Sequence, residues 1–215
     1  MISQEVPRFH GVESRWRRAT SQTHGVRLSR LWRLAHNAAV VAGRVVRVVA
    51  ATMHRMYLDA LDFLDEEREA FRPFEALADL SDEQLSVPVA GAHGWSGRQL
   101  MGHLLSGQEV ALAVATELAV NETSPAKERA DADWDTRGGE VVNAEIDARW
   151  AALSMADLRA RFGTLPGQLR GYLTVVPESR WLKHADHQRF FLSETTAHYE
   201  DHVDDLAAIL AAAGR

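Results

Sequence analysis

The sequence predicts an all-α fold, a four-helix bundle with a long crossover loop, preceded by a poorly structured N-terminal extension. Three observations carry this reading. From Met56 onward apolar residues recur at spacings of three and four, no segment alternates with the period of a strand, and the apolar segments open on residues that cap helices. With 215 residues, 46% of them hydrophobic, the chain is long enough for one well-buried core and an appendage.

The appendage comes first in the chain. Residues 1–55 carry ten Arg against two Glu, whereas residues 56–215 carry 14 basic and 28 acidic side chains. Arg44 and Arg47 interrupt the apolar stretch "AAVVAGRVVRVVAA", which leaves no run of the roughly 7–15 residues at the centre of a secretory signal. No run reaches the roughly 18 residues of a membrane span either. Arg17 and Arg18 have no apolar region close behind them. The expectation is a cytoplasmic protein that binds neither membrane nor nucleic acid. Residues 1–55 are read as an extension, with Met53 or Met56 as the true start, and 56–215 as the folded domain. An arginine-rich helix lying on an anionic surface is the alternative for the extension.

The first helix is expected from Tyr57, Leu61, Leu64, Arg68 and Phe71, with a charged outer face in "LDEEREAF" and a kink or restart at Pro73. A short helical turn follows at "LSDEQL", where Ser81 stands three before Gln84 as in a capping box. The second helix has the clearest start. In "WSGRQL", Ser96 can cap while Gln99 bonds back, and Trp95 and Leu100 have the spacing of a hydrophobic staple. Its stripe runs Leu100, Leu104, Gly107, Ala111, Val114 and Leu118, with Asn121 as the stop. His103 lies beside that stripe and faces the interior or its edge.

Residues 121–139, "NETSPAKERADADWDTRGG", are polar and turn-rich and read as the long crossover loop. A third helical region carries Val142, Ile146, Arg149, Trp150 and Leu153, and Ser154 with Asp157 opens a further segment that Gly163 and Pro166 can bend. The last helix is expected from about Arg189 to Ala213. Leu192, Tyr199, Val203, Leu206 and Leu210 form one of its stripes, and Phe191, Thr195, His198, His202 and Ile209 form the neighbouring one.

The absence of cysteine excludes disulfides, thiolate nucleophiles, iron–sulfur clusters and thiolate-bound zinc, so any metal must sit on His, Asp or Glu. His198 and His202 stand four apart. With ten His in the chain, chance supplies roughly half a pair at any one spacing, so two histidines merely sharing a face is a live reading. Against it stands the cost of placing protonatable groups on a core-facing stripe without partners. Such a pair presents two imidazoles about one turn apart, which suits one ion, and His103 can supply a third ligand.

Two further residues are candidates. Glu194, one turn before His198, is either a fourth ligand or general base, or a solvated carboxylate at a helix start. His93 in "GAHGW" either lines the mouth of the site as a cofactor-binding residue or is polar surface. His184 and His187 in "KHADH" are set aside as loop residues, Asp204 and Asp205 as a solvated face, and Trp134 and Trp150 as core packing.

"GWSGRQLMGHLL" resembles the second-helix signature of the DinB-like superfamily, which includes the N-terminal metal-binding domain of mycothiol-dependent maleylpyruvate isomerases. "ETTAHYEDHVDDL" is similar to the matching last helix. The resemblance spans roughly Met56 to Ala213. It implies a four-helix bundle with a three-residue metal site at His103, His198 and His202, holding a divalent metal (Zn, Ni or Fe). It also implies a low-molecular-weight thiol such as mycothiol, transferred to or conjugated with a small electrophile by a metal-dependent transferase or isomerase. The partner implied is a small-molecule substrate, with a homodimer left open. The alternatives are a metal-independent protein resembling the colibactin self-resistance type, and a non-enzymatic bundle that an ion only stabilises.

Overall fold

The computed structural model of the protein describes residues 56–215, which are helical throughout with no strand among them. The extension expected over 1–55 lies outside the described residues.

Helix α1 (Ala60–Phe71) opens at Asp59, whose carboxylate accepts the Leu61 N–H at 2.7 Å. It buries Phe63, Leu64, Glu67 and Phe71 and leaves Leu61 68% exposed. Of the expected stripe, Tyr57, Leu64 and Phe71 are buried, whereas Leu61 and Arg68 face out. Phe63 sets the inward face, meeting Tyr57 and Trp181 edge-on at 5.3 and 5.2 Å, because an aromatic ring gains more from burial than a leucine on the opposite side loses by exposure. Pro73 falls in the first turn of a 3₁₀ helix, Arg72–Asp79, so the chain restarts there as expected.

Helix α2 (Asp82–Ser86) and the long α3 (Gly97–Val120) both open with complete capping boxes, at Ser81/Gln84 and Ser96/Gln99. All six stripe residues of α3 are buried, and Asn121 ends the helix. α3 is the central element and packs against α4, α5, α6 and α7.

The expected crossover loop is instead helical. α4 (Pro125–Arg137) starts on Ser124, whose hydroxyl accepts the Lys127 N–H at 3.2 Å, with Pro125 in the first turn. The Glu117 carboxylate accepts the Ser124 hydroxyl at 2.5 Å and the Ala126 N–H at 2.9 Å, which ties this start to the end of α3. No residue of α4 is buried, so no apolar stripe marks it in the sequence. Its support comes from the i,i+4 pairs Lys127–Asp131 and Asp133–Arg137. Gly138, at φ 77°, turns the chain directly into α5 (Gly139–Ala151), a conformation that a side chain would strain.

Trp150 is the buried anchor of α5, and its indole donates to Ser106 Oγ at 2.6 Å. Trp134, by contrast, is 53% exposed, so it is not the core residue expected. The end of α5 is capped from α3: Arg98 donates to the carbonyls of Trp150 and Ala151 at 3.2 and 3.0 Å and to that of Leu153. α6 (Met155–Leu173) opens at Ser154 and runs on through Gly163 and Pro166.

The expected continuous last helix is three segments, α7 (Ala185–Glu194), α8 (Thr196–Asp201) and α9 (Val203–Ala212). The breaks fall at Thr195 (φ −128°, ψ −101°) and at His202 (φ −109°, ψ 7°). The Thr195 hydroxyl donates to the Phe191 carbonyl at 2.5 Å, a local bond that competes with the helical ladder. Past the second break Val203 turns outward, 47% exposed, while Leu206 and Ile209 stay buried.

Two apolar clusters form the core, and α3 contributes to both. A buried polar chain runs among the helices. Gln108 Nε2 donates to the Tyr199 hydroxyl at 2.8 Å, that hydroxyl donates to Glu67 at 2.9 Å, and Arg170 donates to the same carboxylate at 2.7 Å. Glu67 and Gln108 are fully buried. Burial raises the Glu67 carboxyl above its ordinary value, while Arg170 and Tyr199 pull it back.

Candidate metal centre

The Ser96 capping box sets the rotation of α3 and with it the facing of His103, seven residues on. His198 comes from α8, and His202 sits at the junction of α8 and α9. One ring nitrogen from each of the three lies within 4.8 Å of the other two. His103 Nε2 and His198 Nε2 are 2.8 Å apart, and the ring centroids of the three pairs are separated by 4.7, 4.8 and 5.1 Å. Two nitrogens bound at ~2.1 Å to one ion at a tetrahedral angle stand roughly 3.4 Å apart, so His103 and His198 at 2.8 Å would open slightly, and the widest pair, within 4.8 Å, would close by up to about 1.4 Å, for all three to bind one ion. Three neutral imidazoles also suit Zn²⁺, Ni²⁺ or Fe²⁺. The group can hold a divalent metal.

Two residues frame it. The Trp95 indole stacks on His202 at 5.5 Å and 26° and lies against His103 at 4.8 Å. His202 Nδ1 is 2.7 Å from Asp205 Oδ2, and both side chains are buried. Asp205 thus contradicts the solvated face expected of it, whereas Asp204 is exposed as expected. It was legible only as an acid three residues after a histidine in "DHVDD", a spacing common on surface helices.

A family profile of the DinB superfamily matches residues 63–208. The chain belongs to the DinB superfamily. No curated protein and no solved structure matches it.

The other candidates fall around the core of this DinB-superfamily domain. Glu194 ends α7 rather than opening a helix, so it is not the helix-start carboxylate weighed against a role in the site. Burial, with a smaller contribution from the nearby Asp131 charge, pushes its carboxyl up to about 7. A Cβ built on Gly107 would fall 2.9 Å from His198 Nδ1 and 3.1 Å from Glu194 Oε2. Only glycine lets α3 approach both groups there.

His93 is a half-exposed loop residue in the left-handed region (φ 57°), and its Nε2 is 3.6 Å from Asp205 Oδ1. The structure therefore places it beside the outer oxygen of Asp205, not among the three imidazoles. His187 lies within α7 and not in a loop, whereas His184 stands just before the helix and caps it by accepting the His187 N–H, and the two rings stack at 3.9 Å. His187 Nδ1 meets the Arg180 carbonyl at 2.5 Å, and burial lowers its pKa.

Proposed function

We propose that this DinB-superfamily domain is a metal-dependent transferase or isomerase that uses a low-molecular-weight thiol of the mycothiol type on a small electrophile. His103, His198 and His202 are its metal ligands. The observation that carries the reading is the convergence of three ring nitrogens from two separate stretches of chain within 4.8 Å. Three protein ligands fall one short of a closed tetrahedral shell, which is the arrangement of catalytic rather than structural ions. When bound there, the ion supplies a positive centre at which a thiol loses its proton near neutral pH. Because the chain has no cysteine, that thiol comes from a cofactor.

The protein's own groups complete the reading. Trp95 covers two of the rings and shields that side from water. Glu194, with a pKa of about 7, can hold or release a proton at Oε2 close to His198 under working conditions. In this reading α1, α3, α6 and the run α7–α9 are the four helices of a bundle, with α4 and α5 as its crossover, and the partner is a small molecule.

The test is consumption of a thiol in the presence of a panel of small electrophiles, by zinc-, nickel- and iron-loaded protein and by chelator-treated protein. Conjugation that requires the loaded form and is lost in Glu194→Gln supports the reading. Equal rates with and without metal across the panel contradict it.

A further inference from the structure

Asp205 has no assigned part in the site, yet it is 2% exposed and its carboxylate meets a ring nitrogen. Its position in the chain explains how it arrives there. His202 is the residue before α9, and Asp205 is the third residue of that helix. This is the spacing of a capping box, in which a third-position acid reaches back to the cap residue. Here the carboxylate meets the side chain of the cap residue, across an i,i+3 spacing that puts both on one face.

We infer that Asp205 is a positioning residue. It accepts the Nδ1–H of His202, fixes that tautomer, and so presents Nε2 as the nitrogen that faces His103 and His198. This rests on the metal reading above for its purpose, but not for its geometry. A neutral imidazole carries its proton on one nitrogen, and a buried carboxylate at 2.7 Å selects the nitrogen that donates. Trp95 stacks on the ring face while Asp205 holds its edge, so rotation is restricted in both directions. The carboxylate also offsets part of the charge that an ion adds to three neutral ligands, in a position where water does not screen it. Its other oxygen lies 3.6 Å from His93 Nε2, which links the ligand to the turn that carries Trp95.

The experiment uses the full chain and zinc alone. Long-range proton–nitrogen correlation spectra of the chelator-treated parent at neutral pH should show His202 protonated at Nδ1. In Asp205→Asn, whose amide can donate as well as accept, the signal should shift toward Nε2–H or a mixture. Competition with a chromophoric chelator should show zinc bound ~10–100-fold more weakly by Asp205→Asn. Asp204→Asn, which removes the same charge from the exposed neighbouring position, should bind as the parent does.

A merely structural Asp205 would lower the melting temperature without moving the tautomer. His202 protonated at Nε2 in the parent, or zinc binding by Asp205→Asn within twofold of the parent, overturns the inference. A parent that binds no zinc defeats the metal reading instead, and the tautomer still decides the role of Asp205. Should Asp205→Asn fail to fold, the parent spectrum decides it alone.

Discussion

Glu194 and Asp205 are acids within four residues of a site histidine, and burial acts on both, with different consequences. Asp205 is held by a ring nitrogen, whereas the Glu194 carboxyl is desolvated and raised from 4.5 to about 7. The sign of the linkage follows. Between these values the folded state holds a proton that the unfolded chain has released. Glu194 therefore costs no stability below about pH 4.5, costs progressively more up to about pH 7, and costs a constant amount above it. At ~1.4 kcal/mol per unit the full shift would cost about 3.5 kcal/mol, and less to the extent that water reaches this half-buried side chain. Glu194→Gln should be more stable than the parent at pH 8, with an advantage that shrinks as pH falls to 5; urea melts of chelator-treated protein at several pH values read this. Taking the difference cancels His187, whose lowered pKa acts in the opposite direction. A difference that does not change with pH would show that Glu194 is not desolvated. The convergence of His103, His198 and His202 was legible because three imidazoles on or beside core-facing stripes conflict with burial unless they meet one another. Asp205 was not, because an acid three residues after a histidine has the same spacing whether the pair is solvated or buried.

At the scale of elements, the capped starts were the most legible feature. Ser81, Ser96 and Ser154 each cap the helix expected of them, because a side-chain oxygen three residues before its backbone donor is a local geometry that needs no tertiary context. Ser96→Ala should cost about 1 kcal/mol in urea denaturation, since the Gln99 N–H loses its acceptor at a buried position. A neutral result would mean that the cap does not set the register of α3. Helix α4 was illegible for the opposite reason: apolar periodicity detects a helix through its buried face, and α4 has none. Its anchor is Glu117, which binds both Ser124 and Ala126. Hydrogen bonding to Ser124 holds the Glu117 carboxyl below its ordinary value. Glu117→Ala should let the start of α4 fray while α3 holds, seen as faster amide exchange over 126–130 without a large change in melting temperature. Slow exchange retained there would show that Glu117 is dispensable to the helix.

Across the whole molecule, the apolar clusters along α3 share their interior with the chain Gln108–Tyr199–Glu67–Arg170, which joins α1, α3, α6 and α8. Tyr199→Phe deletes the central hydroxyl and leaves a buried carboxylate and a buried amide each short of a partner, so a loss of about 1–3 kcal/mol is expected in denaturant melts. The DinB-superfamily fold was legible because long apolar stripes and capped starts are properties of sequence. The number and ends of its helices were not, because Thr195 and His202 break a helix whose periodicity runs straight through them. The claim on which the functional account depends is that His103, His198 and His202 hold one divalent ion. It is tested most directly by elemental analysis of the full chain after loading with zinc and removal of excess. The account predicts about one ion per chain in the parent and in His184→Ala, with occupancy lower by an order of magnitude or more in His103→Ala, His198→Ala and His202→Ala. Unchanged zinc content in the triple alanine variant would contradict it.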